Sequence, residues 1–125
     1  MFVWALKVMV SGEPTLVLAC NCTQCQKRTG SVFGVSAYFP KEAVSVSGKS
    51  KVFTSVSDRG TRSGAHFCPE CGTTLFWDAS LGRGVAVGCF ADPSFPPPQF
   101  VAWAQHQHHW ARFPEGVPIY KQGRG

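Results

Sequence analysis

From Phe2 to Val10 the chain reads with a period of two. Phe2, Trp4, Leu6, Val8 and Val10 fall on one side, with Val3, Ala5, Lys7 and Met9 between them. That pattern predicts a strand buried on one face and partly on the other. Ser11-Gly12-Glu13-Pro14 is a turn, and Leu16 to Cys20 a second strand. The alternation then stops. Thr23 to Thr29, with Gln, Lys and Arg as helix formers and Gly30 behind them, predicts a short helix. Val32 to Phe39 is β-branched enough for a strand that Pro40 ends. Val44-Ser45-Val46 and Val52-Phe53-Thr54 predict a hairpin across Ser47-Gly48-Lys49-Ser50, and Asp58-Arg59-Gly60 a further turn. Ser63 to Phe67, Thr73 to Trp77 and Val85 to Phe90 read as strands, and Phe100 to Trp103 and the surroundings of Trp110 as late ones. Between them, Ala91 to Gln99 carries Pro93, Pro96, Pro97 and Pro98 and predicts an extended connection. The fold class is therefore mainly β with one short helix, and Lys121 to Gly125 reads as a loose tail.

A length of 125 residues predicts a single domain, 1–125, with a core of its own. Twelve basic residues against seven acidic give +5, but the cations are scattered, with no run that tracks phosphates. Nucleic acid is thereby disfavoured, and a small anionic ligand suits the same mild potential. The apolar stretch up to Ala19 has no basic region ahead of it and is broken at Ser11-Gly12-Glu13-Pro14, so neither export nor a membrane span is expected.

The six cysteines change the picture most. Cys20, Cys22 and Cys25 form C-x-C-x-x-C, and Cys68 and Cys71 form C-x-x-C in Phe67-Cys68-Pro69-Glu70-Cys71-Gly72. Neighbours at these spacings bridge each other poorly but suit a soft divalent metal, to which each thiolate offers one short directional bond. Zinc is thus favoured over a disulfide framework, and with it a reducing, cytoplasmic compartment. Cys22 and Cys25, three apart near the helix start, lie where its positive end favours thiolate. The two clusters share one ion or hold one each; spacing alone leaves both open. Cys89, in an apolar run, reads as a small buried hydrophobe. His66 precedes Cys68 on a strand and reads as a packing residue. His106 and His108 would share one face of an extended edge strand, compatible with metal or anion contact. Lys27 and Arg28 either attract the carboxylates of a ligand or are ordinary solvated helix charges.

The run Cys20 to Gly30, followed by Ser31-Val32-Phe33-Gly34-Val35-Ser36 and later by Phe67-Cys68-Pro69-Glu70-Cys71-Gly72-Thr73, resembles the glutathione-dependent formaldehyde-activating family, which also contains the centromere-protein-V-like domains. Weaker support comes from Gly12-Glu13-Pro14, Val87-Gly88, Ala91-Asp92-Pro93 and Phe113-Pro114-Glu115-Gly116-Val117-Pro118. The resemblance implies a β-tent of antiparallel sheets with two zinc sites. One is catalytic, its ligands matching Cys20, Cys22 and Cys25. The other is structural, with Cys68 and Cys71 joined by a C-x-C on the first strand. Aligning Ala5-Leu6-Lys7-Val8 with that strand puts Met1 and Val3 where those two cysteines belong. Either the chain starts further upstream or this member has an incomplete second site, and two thiolates do not close a tetrahedral one. The implied activity is that of a carbon–sulfur lyase. A zinc ion with an open fourth position takes glutathione or a similar small thiol, and the thiol–aldehyde adduct S-hydroxymethylglutathione is formed or cleaved. The alternative the resemblance implies is a non-catalytic zinc module for a protein or nucleic-acid partner.

Overall fold

A computed structural model describes residues 6–56 and 62–123. The beginning of the expected first strand, with the Met1 and Val3 positions, lies outside the described residues, as do the Asp58-Arg59-Gly60 turn and the last two residues of the tail. In chain order the elements are β1 (Leu6–Val10), β2 (Leu16–Cys20), α1 (Thr23–Thr29), β3 (Gly34–Phe39), β4 (Val44–Gly48), β5 (Lys51–Val56), β6 (Arg62–Phe67), β7 (Thr74–Ala79), β8 (Gly82–Ala86) and β9 (Phe100–Ala102). Short 3-10 turns stand at Lys41–Ala43, Val87–Phe90 and Ala104–His106. The chain is mainly β, as its alternation predicts. Among the described residues no helix is long and apolar enough to cross a membrane.

The strands fall into two compact units, Met1–Thr15 with Tyr38–Val85, and Leu16–Ala37 with Ala86–Gly125. In the first unit β1 and β4 pair antiparallel, Leu6 opposite Gly48 and Val10 opposite Val44. β5, β6, β7 and β8 form an antiparallel meander. The hairpin expected between Val44–Val46 and Val52–Thr54 does not form, because β4 and β5 belong to different sheets. Alternation identifies a strand but not its partner, and both partners here come from elsewhere in the chain. Leu6, Phe39, Val44, Leu75, Phe76, Trp77 and Val85 are buried. Removing one large side chain of this kind costs about 2–5 kcal/mol.

Two glycines let backbone and ring approach closely there. A Cβ at Gly84 would stand 2.4 Å from Trp77 Nε1, the atom that donates to Tyr38 Oη at 3.2 Å. A Cβ at Gly82 would stand 2.4 Å from the Phe39 carbonyl oxygen, and Gly82 has φ 117°, which L side chains avoid. The strand expected over Val85 to Phe90 stops at Ala86 and coils into the 3-10 turn, closed by Ala91 at φ 51° with its N–H on the Gly88 carbonyl at 3.1 Å. In consequence Cys89 is exposed rather than a buried hydrophobe.

In the second unit the strand order is β3-β2-β9. Against the expected antiparallel pattern, β2 and β9 run parallel, with Leu18 opposite Phe100 and Cys20 opposite Ala102. Ala19, Ala37, Phe100, Val101, Ala102 and Ala111 are buried. Gly30, at φ 71°, ends α1 and donates to the Gln26 carbonyl at 2.8 Å, the left-handed stop that the sequence predicts. No strand surrounds Trp110, which is exposed, and His106 lies in a 3-10 turn with His108 beyond it, so the expected edge strand carrying both is absent. Trp103 takes φ 58° to start that turn. The turn is tied to the C-terminal segment: the N–H groups of Trp103, Ala104 and Gln105 donate to the carbonyls of Gln122, Tyr120 and Lys121.

Gly82→Ala is expected to destabilise the protein by about 1–3 kcal/mol through the combined clash and left-handed strain, read as a lower urea midpoint at unchanged slope. An unshifted midpoint would show that this close approach is dispensable.

Candidate metal centre

Cys20 is the last residue of β2, buried and opposite Ala102 of β9. Asn21, fully buried, continues the ladder by one step: its N–H and its Nδ2 both donate to the Ala102 carbonyl at 3.1 Å. Cys22 then leaves the strand as the N-cap of α1, and its Sγ accepts from the Cys25 N–H at 3.4 Å. Cys25 stands in the first turn of the helix. Strand end, cap and first turn thus bring three sulfurs together, all within 4.8 Å of one another. Sulfurs around a tetrahedral zinc, each at about 2.3 Å, lie about 3.8 Å apart, so the trio fits such an ion with small movements.

The thiols also share protons. Hydrogen bonds from the Cys20 and Cys25 thiols, and then from the Cys25 and Gln24 N–H groups, bring Cys22 down to about 2 against its burial. Cys20 is pushed far up, first by its hydrogen bonds to Cys22 and Cys25 and then by burial. At Cys25 the Cys20 hydrogen bond favours the thiolate, but donation to Cys22 and burial outweigh it, and the thiol is raised. The Arg28 guanidinium pulls Cys25 the other way. A Cβ at Gly34 would stand 2.7 Å from Arg28 Nη2 and 3.5 Å from Cys25 Cβ, so Gly34 leaves the space in which Arg28 folds beside the cluster. Lys27, by contrast, points from an exposed position of the helix.

In the first unit Cys68 is buried and Cys71 exposed, on a tight loop with Gly72 N–H on the Cys68 carbonyl at 2.7 Å and Cys68 N–H on the Thr73 carbonyl at 2.8 Å. Cys71 Sγ lies 3.2 Å from Thr73 Oγ1, and the Thr73 hydroxyl and N–H lower its pKa. Among the described residues Cys20, Cys22 and Cys25 are the one group of three potential metal ligands. His66 stacks on Phe76 at 4.3 Å and its Nδ1 meets Ser50 Oγ at 2.9 Å, a packing role.

The sequence places Gln26 in the run behind the cysteines but assigns it no role at the site. Its side chain bonds to Asn21, His106 and His108. Only its place directly after Cys25 offered a signal.

A family model described as glutathione-dependent formaldehyde-activating enzyme matches residues 4–106, both cysteine clusters included. The chain belongs to this family. Relatives named for glutathione-dependent formaldehyde activation include one from Aspergillus flavus, 33% identical over 69 residues, covering 55% of this chain and 36% of the relative. Another, from Penicillium rubens, is 36% identical over 58 residues, covering 46% of this chain and 30% of the relative. The matches thus span about a third of the length of these curated relatives.

In the metal-free protein, a short iodoacetamide pulse at pH 6 is expected to label Cys22 ahead of Cys20, because a lowered pKa keeps a thiolate below the ordinary thiol range and a raised one withholds it. Peptide mass spectrometry reads the order. Labelling of Cys20 first would contradict this distribution of charge.

Proposed function

We propose that this member of the glutathione-dependent formaldehyde-activating family holds Zn²⁺ on Cys20, Cys22 and Cys25 and acts as a carbon–sulfur lyase on a thiol–aldehyde adduct. The observation that carries the reading is the three-sulfur group within 4.8 Å, in a chain of this family. Three protein sulfurs leave one tetrahedral position for a ligand from outside. When bound there, the metal would supply Lewis-acid stabilisation of a substrate thiolate, lowering the pKa of the incoming thiol.

The chain's own part is to hold that geometry and balance its charge. β2 fixes Cys20 and the helix cap fixes Cys22 and Cys25, so the sulfurs need little rearrangement to bind. Arg28 places a fixed cation beside Cys25, offsetting the excess negative charge of three thiolates. With exposed Lys27 it also provides an attraction for the carboxylates of glutathione or a similar small thiol. In the synthetic direction the substrate sulfur bonds to the aldehyde carbon, the carbonyl π bond breaks, and the thiol proton ends on the new hydroxyl. Cleavage is the reverse. For glutathione and formaldehyde the adduct is S-hydroxymethylglutathione.

Cys68 and Cys71 supply two thiolates toward a second, structural zinc site in this reading. Thiols kept available to metal suit a reducing compartment, and the reading assigns the protein to the cytoplasm on that ground.

Glutathione added to the Co²⁺-substituted protein is expected to shift and intensify the sulfur-to-cobalt charge-transfer bands, and Cys22→Ser is expected to lose both the bands and the response. Bands that ignore saturating glutathione would overturn the enzyme reading and leave a metal-binding module.

A further inference from the structure

Gln26 follows the last of the three cysteines, and all its hydrogen-bonding atoms are engaged. Its backbone N–H makes the first turn of α1 with the Cys22 carbonyl at 3.0 Å, and its carbonyl accepts from the Gly30 N–H at 2.8 Å. Its side-chain Nε2 donates to the Asn21 carbonyl at 2.7 Å and to the His106 carbonyl at 3.0 Å. Its Oε1 lies 3.2 Å from His108 Nε2, which donates to it. Two carbonyls on one end and a ring nitrogen on the other fix which way the amide faces.

The placement of these partners matters more than their number. The Asn21 carbonyl belongs to the peptide that joins Asn21 to Cys22, so the Gln26 amide closes a ring of chain around Cys22 and Cys25. The same amide ties that ring to the 3-10 turn at Ala104–His106 and to His108 beyond it, 80 and 82 residues away in sequence. That turn is in turn bonded to the C-terminal segment through Tyr120, Lys121 and Gln122.

We propose that Gln26 is the positioning residue of the three-thiol centre, its amide setting how Cys22 and Cys25 face Cys20. The inference rests on the reading that these cysteines bind a metal. Gln26 offers the ion no ligand atom; it holds the peptide and the helix that carry the ligands. A partner at this remove typically changes metal affinity by about 10–100-fold.

Gln26→Met keeps the length of the side chain and deletes its three hydrogen bonds. His108→Phe keeps a ring and deletes only the outer one. Zinc affinity is measured for the full chain by competition with a chromophoric chelator, alongside the Co²⁺ d–d spectrum and the melting temperature of the metal-free protein. Gln26→Met is expected to bind zinc about 10–100-fold more weakly, with an altered d–d envelope. His108→Phe is expected to show a smaller loss at an unchanged melting temperature. A lower melting temperature with wild-type affinity and spectrum would make Gln26 merely structural and overturn the proposal. If Gln26→Met does not fold, His108→Phe decides: weakened zinc at wild-type melting supports the proposal, and wild-type affinity sinks it. A wild-type protein that binds neither ion through Cys20, Cys22 and Cys25 removes the metal reading itself, whereas wild-type binding with an indifferent Gln26→Met removes this inference alone.

Discussion

Three sulfurs held within 4.8 Å of one another are an electrostatic problem, and the second unit is arranged around it. Two unit charges about 4 Å apart repel by about 4 kcal/mol at the effective dielectric of a protein surface. Without a metal ion, the cluster favours a single thiolate even with Arg28 beside it. The directions of the three thiols express this: Cys22 is lowered, while Cys20 and Cys25 are raised. A divalent ion removes the conflict by replacing protons with one positive centre, so metal binding here is coupled to proton release. Arg28 contributes in the same sense from the side of Cys25.

Holding such a group together requires rigid supports, and the chain supplies three of different kinds. Cys20 is locked by the parallel pairing of β2 with β9, and Asn21 doubles the grip by placing two donors on one carbonyl. Cys22 and Cys25 are locked to each other by the helix cap, which spends a backbone N–H on a sulfur. The Gln26 amide then joins cap and strand end. A short helix is marginal by itself, so its place depends on these tertiary bonds more than on propensity.

Local chemistry was legible in the sequence. The helix from Thr23 to Thr29, its stop at Gly30 and the cysteine trio all follow from residues within a dozen positions of one another, and all are found. Pairing was not legible. β4 joins β1 and β5 joins β6, although a turn-like Ser47-Gly48-Lys49-Ser50 lies between β4 and β5. The strand expected at Val85–Phe90 ends at Ala86, and the chain coils into a 3-10 turn that Ala91 closes in a left-handed conformation no local residue preference announces. That break exposes Cys89. His106 and His108 were legible as a pair but not in their setting, since the partner of His108 is Gln26, 82 residues earlier. Non-local hydrogen bonds of this kind leave no periodic trace in a single sequence.

The coordination of the ion itself gives the most direct test. X-ray absorption at the zinc edge, on protein loaded with one equivalent, is predicted to show three sulfurs at about 2.3 Å and one lighter ligand, with a fourth sulfur replacing the light one when glutathione is added. Four sulfurs before any thiol is added, or no change afterwards, would contradict an open metal position built on Cys20, Cys22 and Cys25.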